Sequence, residues 1–211
     1  MTENNFLTAA DTAYEIILKK IIDGEFKFGD KLSRRKMAEV TGVSVIPVIE
    51  ALKKLESQHI VDSKPQWGSF VTVPTLAKIK EIYQLRTAVE CQAARLLAVT
   101  ITKEQREELL ERGKEIDSFT RTKENLYNAE KMHADFHERL TELTGVSLLL
   151  ENVHSVNLFN MMCRVLTSNP SQVSHVTLVE EIAKKDPDNA ERAMRLHIDY
   201  SLSALIEGIS K

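Results

Sequence analysis

The sequence predicts a mainly α-helical chain, built from a small N-terminal part with one β-hairpin and a larger part made of helices alone. Three observations support this class. Only seven glycines and five prolines occur in 211 residues, which favours long helices over many turns. Apolar residues recur at helical spacing almost without interruption from Thr75 onward. The β-prone segments HIVDSK and SFVTV, joined by the turn PQWG, form the one hairpin pattern.

Two short helices are predicted ahead of the hairpin. Ser33 is expected to cap the helix RRKMAEVT, which stops at Gly42. Ser44 is expected to cap the helix VIPVIEALKKLES, with Pro47 in its first turn, where a missing amide costs little. Two short helices joined by a tight turn containing glycine make a helix-turn-helix.

An amphipathic helix and the hairpin complete this N-terminal part. The helix covers residues 12–23, with its apolar residues on one side, and Gly24 follows as a stop signal. The hairpin after the helix-turn-helix serves as a wing. The sequence therefore predicts a winged helix-turn-helix in residues 1–74, with the domain boundary close to Pro74.

Residues 75–211 are predicted to form an all-α antiparallel bundle of about six helices. Thr102 and Gln105 form a capping-box signal, and Asp186 followed by Pro187 marks the start of the last helix. The predicted helices cover residues 76–99, 103–119, 123–144, 148–166, 173–185 and 188–208.

The composition limits the class of protein. The chain has 28 basic and 31 acidic residues and a net charge of -3, and it lacks an apolar run of about 18 residues, so no transmembrane helix is predicted. Its N-terminus has neither the basic nor the apolar region of a signal peptide. Cys91 and Cys163 have no CxxC spacing, which indicates buried, reduced thiols rather than a disulfide scaffold or a zinc ribbon. We therefore expect a cytoplasmic protein without a membrane partner.

Positive charge is concentrated in the predicted helix-turn-helix. Seven Lys or Arg residues and five Asp or Glu residues lie between residues 30 and 64, although the whole chain is slightly acidic. Arg34, Arg35 and Lys36 cluster at the start of its first helix, where they can reach phosphates or guanine edges. Lys53 and Lys54 fit a solvated helix face equally well.

The run GDKLSRRKMAEVTGVSVIPVIEALKKLESQHIVDSKPQWGSFV resembles the N-terminal domain of the GntR family of bacterial transcription regulators. The shared pattern includes a Leu-Ser start, Gly-Val-Ser, Pro-Val, Glu-Ala-Leu and a wing that ends Gly-x-Phe-Val. The family carries two arginines on the recognition helix, and Val45 and Ile49 stand at those positions here. Apolar side chains cannot donate to guanine, so Val45 is expected against a thymine methyl group. The alternative is a domain that has weakened or lost specific DNA binding.

The resemblance thus implies a double-stranded DNA operator as the partner of residues 1–74. The expected DNA contacts are Arg34, Arg35, Lys36, Ser44, Val45, Gln66, Trp67 and Gly68.

The C-terminal part resembles the FCD subdivision of this family, whose bundle binds small organic acids and often a divalent metal. The family pattern places a glutamate four residues after a Leu-Arg pair, which matches Arg86 and Glu90. The resemblance implies that Arg86 binds the effector, and a guanidinium suits a planar carboxylate. The alternative is that Arg86 only pairs with Glu90 along its own helix.

Four histidines are spaced as metal ligands. His133 and His137 share one helix face because they are four residues apart, and His175 and His197 belong to two later helices. The FCD pattern is Asp-x-x-Phe-His followed by two distant histidines, and His133 stands where the family has Asp. Replacing a carboxylate by an imidazole favours Zn²⁺ or Ni²⁺ over Mn²⁺. Asp135 lies on another side of the helix and is not expected to replace the missing ligand.

The sequence therefore predicts a ligand-responsive bacterial transcription regulator, a repressor by the family's commoner mode. Residues 75–211 would bind the effector and form a homodimer that matches an inverted repeat, because one helix-turn-helix contacts too little DNA for high specificity. No catalytic residues are predicted and the protein is not expected to be an enzyme. Two alternatives remain: a metal-dependent hydrolase that uses the histidine cluster, and a helical scaffold without an effector.

Overall fold

The computed structural model describes residues 7–122, 124–164 and 174–209. The chain divides into two compact units, Met1–Pro74 and Thr75–Lys211, called here the N-terminal unit and the C-terminal unit. Within the described ranges, no helix has the length and apolar character needed to span a membrane.

The N-terminal unit is a winged helix-turn-helix with a three-stranded antiparallel sheet in the order β1-β3-β2. The sequence predicted only the two strands of the hairpin. The additional strand is two residues long and pairs Leu32 with Ser69, and so short a segment shows no alternating pattern. The elements are α1 (Ala9–Ile22), β1 (Lys31–Leu32), α2 (Arg34–Thr41), α3 (Val45–Ser57), β2 (Val61–Lys64) and β3 (Gly68–Val71).

Local capping sets the ends of the first two helices. Thr8 and Asp11 form a capping box, so α1 begins before the predicted residue 12. The predicted cap of α2 is confirmed, since Ser33 Oγ accepts a hydrogen bond from the backbone amide of Lys36. Its predicted stop is also confirmed: Gly42 has a φ of 72°, in the left-handed region that glycine adopts without a steric penalty.

The core of the N-terminal unit fixes α3 by one face. Helix α1 packs against α3, and their apolar side chains are buried together. Tyr14 in α1 donates a hydrogen bond of 2.9 Å to the side-chain oxygen of Gln58, just after α3. Because the inner face of α3 is held in this way, its outer face is free to meet a partner. The buried residues of the two helices are Ala13, Tyr14, Ile17, Leu18, Ile21, Ile22, Val48, Ala51, Leu52 and Leu55.

The C-terminal unit contains six helices within the described residues, in agreement with the predicted bundle. The capping box of Thr102 and Gln105 is confirmed. The predicted helix start at Lys123 and the predicted helical residues 165–166 and 173 lie outside the described residues. The helices are α4 (Leu76–Thr100), α5 (Lys103–Ser118), α6 (Leu126–Glu142), α7 (Ser147–Arg164), α8 (His175–Ile182) and α9 (Pro187–Ile209).

Helix α4 is the central helix of this bundle. It packs against α9, α7 and α6, while α5 packs against α8 and α6. The predicted fold class, a winged helix-turn-helix followed by an all-α bundle, is therefore confirmed. This packing brings α4, α5, α6, α8 and α9 around a common interior.

Candidate functional site

The start of α2 presents three exposed cations to solvent. Arg34, Arg35 and Lys36 are all exposed, as a phosphate-binding role requires. The side chain of Arg35 is 92% exposed and lies 3.6 Å from Glu39, a loose surface pair. Lys54, in contrast, lies over the ring of Tyr14 within its own unit.

Ser44 is the N-cap residue of α3, as predicted, but its side chain makes no capping hydrogen bond. One of the two backbone amides that an N-cap side chain can bind is missing here, because Pro47 has no amide hydrogen at the position that Ser33 uses in α2. The exposed hydroxyl of Ser44 therefore remains available to an outside partner.

The first turns of α3 carry apolar side chains on their outer face. Val45 is 42% exposed and Ile46 is 70% exposed, while Ile49 is half-buried. Of the family's two arginine positions, Val45 is thus exposed and Ile49 is half-buried, and both carry methyl groups. Ile46 was not among the predicted DNA contacts.

The wing is a tight turn between β2 and β3. Gln66 and Gly68 have φ values of 64° and 101°, and Trp67 between them is 69% exposed. The amide of Trp67 donates to the carbonyl of Lys64, which closes the turn. The three predicted wing residues thus form its exposed tip.

The interior of the C-terminal unit contains four buried histidines from three helices. His133 and His137 lie one turn apart on α6, His175 is the first residue of α8, and His197 lies in α9. Each is at most 4% exposed. One candidate ligand atom from each residue lies within 4.8 Å of the others, and ring centroids are 4.7 to 6.0 Å apart.

Two carboxylates orient the rings of this cluster. Glu90 Oε2 lies 2.7 Å from His137 Nδ1, and Asp117 Oδ1 lies 2.7 Å from His175 Nδ1. Metal-binding histidines usually contact a carboxylate or carbonyl through the nitrogen that does not bind the metal. Gly113 on α5 allows the close approach of His175, since a Cβ there would lie 3.3 Å from the His175 carbonyl carbon.

Burial favours the neutral, metal-binding form of three of these histidines. It lowers the pKa of His133 and His197 well below the usual value, and also that of His137 despite the nearby Glu90 carboxylate. Burial alone would raise the pKa of Glu90, but the Arg86 guanidinium and His137 together lower it to about 2. Burial thus favours the neutral form of these three imidazoles, while the carboxyl group of Glu90 stays ionised next to them.

The donor atoms fit a metal ion. Nε2 of His133, His137, His175 and His197 is buried without a hydrogen-bond partner among the described residues. Several unpaired buried nitrogens in one place are costly unless another group binds them. Zn²⁺ holds tetrahedral donors about 3.3 Å apart.

Arg86 lies beneath the cluster, fully buried. Its Nε donates to Glu90 Oε1 at 2.6 Å and its Nη1 lies 3.5 Å from Ser201 Oγ, while Nη2 has no partner among the described residues. The pair with Glu90, which the sequence left open as an alternative, is therefore present. Through Glu90, Arg86 supports His137.

A cavity of about 300 Å³ adjoins the cluster and is lined by His133 and His175. Arg121, Glu130 and Arg164 line the same cavity. Glu130 lies 3.1 Å from Arg121 Nε and 2.7 Å from Arg164 Nε, so two guanidiniums share one carboxylate. Nη1 of Arg121 is buried without a hydrogen-bond partner among the described residues. Asp117 also lines this cavity, so its two guanidiniums are accompanied by two carboxylates.

Sequence reasoning missed Asp117, Arg121, Glu130 and Arg164. Asp117 contacts His175 across 58 positions of the chain, so no local pattern connects them. The ion pairs of Glu130 with Arg121 and Arg164 likewise join the segment before α6 to the end of α7. The two remaining histidines, His59 and His154, lie outside the cluster. Asp135, judged a poor ligand, pairs instead with Lys131 on the outer face of α6.

Comparisons with known proteins match both units. The model of the bacterial regulatory proteins of the gntR family matches residues 9–71, and the FCD domain model matches residues 81–200. The HTH-type transcriptional repressor RspR of Escherichia coli (strain K12) is 26% identical over 191 residues, which cover 88% of this chain and 83% of that protein.

Two solved structures share the fold. A GntR transcriptional regulator from Rhodococcus sp. RHA1 superposes with a TM-score of 0.70 at 22% identity, covering 94% of this chain and 97% of that one. McbR/YncC of E. coli superposes with a TM-score of 0.72 at 18% identity, covering 96% and 99%.

Proposed function

Because the chain belongs to the GntR family of bacterial DNA-binding transcription regulators and carries an FCD domain, we propose that it is a repressor controlled by a small carboxylate. The observation that carries this proposal is the cluster of four buried histidines beside a cavity lined by arginines. The relative RspR is described as a repressor, which supports repression rather than activation as the mode of regulation. The family consists of transcription regulators rather than enzymes.

The proposed metal ligands are His133, His137, His175 and His197. Four imidazole ligands suit Zn²⁺, with Ni²⁺ as the alternative, better than Mn²⁺, which prefers carboxylate ligands. A bound divalent ion would supply a Lewis acid for an oxygen of the effector. The carboxylates of Glu90 and Asp117 would hold two of the rings in place.

We assign the effector carboxylate to Arg121 and Arg164 rather than to Arg86. Both Arg86 and Arg121 pair with a buried carboxylate, but Arg121 lines the cavity and Arg86 does not, and Nη1 of Arg121 has no hydrogen-bond partner among the described residues. Guanidinium groups bind carboxylates through paired hydrogen bonds. A volume of about 300 Å³ fits an acid of a few carbon atoms.

Arg121→Met is expected to abolish effector binding without loss of metal. The substitution keeps most of the side-chain volume but removes the cation, leaving Glu130 paired with Arg164. Acetate, succinate and citrate serve as mono-, di- and tricarboxylate probes, each tested by the shift in melting temperature of the metal-loaded protein. We expect one of them to raise the melting temperature of the parent and not that of the variant.

Arg112→Met is the matched control, because Arg112 pairs with Glu108 on an exposed helix face away from the cavity. Equal acid-induced shifts in Arg121→Met and the parent would contradict the assignment of Arg121. Loss of metal from Arg121→Met, measured by elemental analysis, would show instead that Arg121 is needed for metal binding.

The experiment for the whole proposal begins with selection of DNA from a random duplex library by the purified, metal-loaded protein. Fluorescence anisotropy then measures binding to the selected duplex and to a scrambled duplex, with and without the active acid. We expect an inverted repeat, bound more tightly than the scrambled duplex, and weaker binding with the acid present. Regulation requires only that the acid bind two states of the protein with different affinity.

An inverted repeat would also support the proposed homodimer, since a two-fold protein matches a two-fold site. Failure to enrich any sequence would contradict the proposed function. Specific binding that no acid alters would leave a regulator without the proposed effector.

Arg35→Ala is expected to weaken binding to the selected duplex by about 1 to 3 kcal/mol if the guanidinium contacts a base. Contact with a phosphate alone would give a smaller loss, equal for the selected and scrambled duplexes, and a shallower salt dependence. Anisotropy titrations at two salt concentrations separate these cases. Arg112→Ala again serves as the control, and unchanged affinity of Arg35→Ala for both duplexes would remove Arg35 from the DNA interface.

A further inference from the structure

The outer face of α3 combines exposed methyl groups with basic surroundings. Val45 and Ile46 project from its first turn, and Ile49 follows one turn later. The exposed cations Arg34 and Arg35 lie at the start of the neighbouring helix α2. A hydrophobic protein partner would not need these cations, whereas the phosphates of DNA attract them. The charge around the apolar turn therefore favours DNA as its occupant.

Hydrogen-bond donors are scarce on this turn. Val45, Ile46 and Ile49 have apolar side chains, and Pro47 has no backbone amide hydrogen. Ser44 retains a hydroxyl that is not used for capping. Bidentate recognition of guanine or adenine, which needs arginine, lysine, asparagine or glutamine, is therefore not available from the residues at positions 44–49.

The major groove offers one apolar group for such a surface, the C5 methyl group of thymine. On the premise of the proposed function, we propose that this protein selects its operator half-sites by packing Val45 and Ile46 against thymine methyl groups. Burial of these side chains against the methyl groups removes apolar surface from water on both partners. The arginines of α2 and the wing then contribute affinity and orientation through the DNA backbone.

The test replaces thymidine by deoxyuridine in the half-sites of the selected duplex. Uracil pairs with adenine and keeps every hydrogen-bonding group of thymine, so the change removes only the methyl group. We expect the affinity to fall about fourfold for each contacted methyl group, the factor that corresponds to burial of one methylene-sized group. Deoxyuridine at the central spacer is the control, and 5-bromodeoxyuridine in the half-sites should restore binding because bromine fills the space of the methyl group.

A protein variant tests the same contact from the other side. Ile46→Ala removes an exposed side chain and should not disturb folding, because Ile46 is 70% exposed. If Ile46 contacts the methyl group, this variant should discriminate less than the parent between thymine and uracil, as coupled partners do in a double-mutant cycle. Lys53→Ala, on the same helix, should retain the discrimination of the parent.

The outcomes separate this inference from the proposed function. Specific binding to the selected duplex with equal affinity for the thymine and uracil forms would overturn methyl recognition and leave a DNA-binding regulator. Methyl recognition would also be overturned if both Ile46→Ala and Val45→Ala discriminated between thymine and uracil as well as the parent does. Failure of the selection to enrich any sequence would instead contradict the proposed function itself.

Discussion

Removal of bound metal by a chelator is expected to lower the melting temperature of the protein by on the order of 10 °C. A ligand that binds only the folded state, at a free concentration about a thousand times its Kd, stabilises that state by about 4 kcal/mol. In a protein of this size, each kcal/mol shifts the melting temperature by roughly 2 to 4 °C. Differential scanning calorimetry of the chelated protein before and after addition of ZnCl₂ measures the shift.

His197→Ala tests whether the histidine cluster is the cause. The comparison uses the shift induced by ZnCl₂ in each variant, so that the destabilising effect of the substitution itself cancels. We expect the shift to shrink strongly in His197→Ala and to persist in His154→Ala, because His154 is exposed and lies on α7 outside the cluster. An undiminished shift in His197→Ala would show that the metal binds elsewhere.

Arg86→Met is expected to destabilise the protein by about 3 to 5 kcal/mol, because it leaves the buried carboxylate of Glu90 without its main counter-charge. Both partners are fully buried, and their contact of 2.6 Å is one of the few ion pairs shielded from water here. Urea denaturation measures the loss. Lys131→Met breaks a pair of the same spacing on the exposed face of α6 and should cost less than about 1 kcal/mol.

The double variant Arg86→Met/Glu90→Met separates stability from metal binding. Replacing both members of a buried pair by apolar residues is often neutral, so most of the lost stability should return. The support for His137 is then gone, and the affinity for Zn²⁺ should fall about 10- to 100-fold. An Arg86→Met variant as stable as the parent would contradict the role given to this pair.

The sequence alone predicted those features of the structure that are determined by residues close together in the chain. Ser33 and Gly42 bound α2 as predicted, because capping and left-handed glycine act within one turn of helix. The spacing of His133 and His137 on α6 followed from helix periodicity, which is equally local. That His175 and His197 join them required the family resemblance, since periodicity alone does not say which helices meet.

The sequence was insufficient where contacts depend on distant segments. Ser44 lies at the predicted N-cap of α3 but makes no side-chain capping hydrogen bond, and the general preference for serine takes no account of Pro47 three positions later. Asp117 could not be recognised, since its only functional signal is a contact with a residue far along the chain. The strand β1 was missed because its two residues are defined by pairing with β3 and not by their own pattern.

Asp117 has a second role that links two helices. Besides the ring of His175, its carboxylate accepts hydrogen bonds from the backbone amides of His175 and Val176 and from the hydroxyl of Ser174, so a residue of α5 caps the start of α8. An eight-residue helix is not stable in isolation. Helices α5 and α8 should therefore open to hydrogen exchange together as one cooperative segment. A metal held through His175 would slow the local unfolding of both.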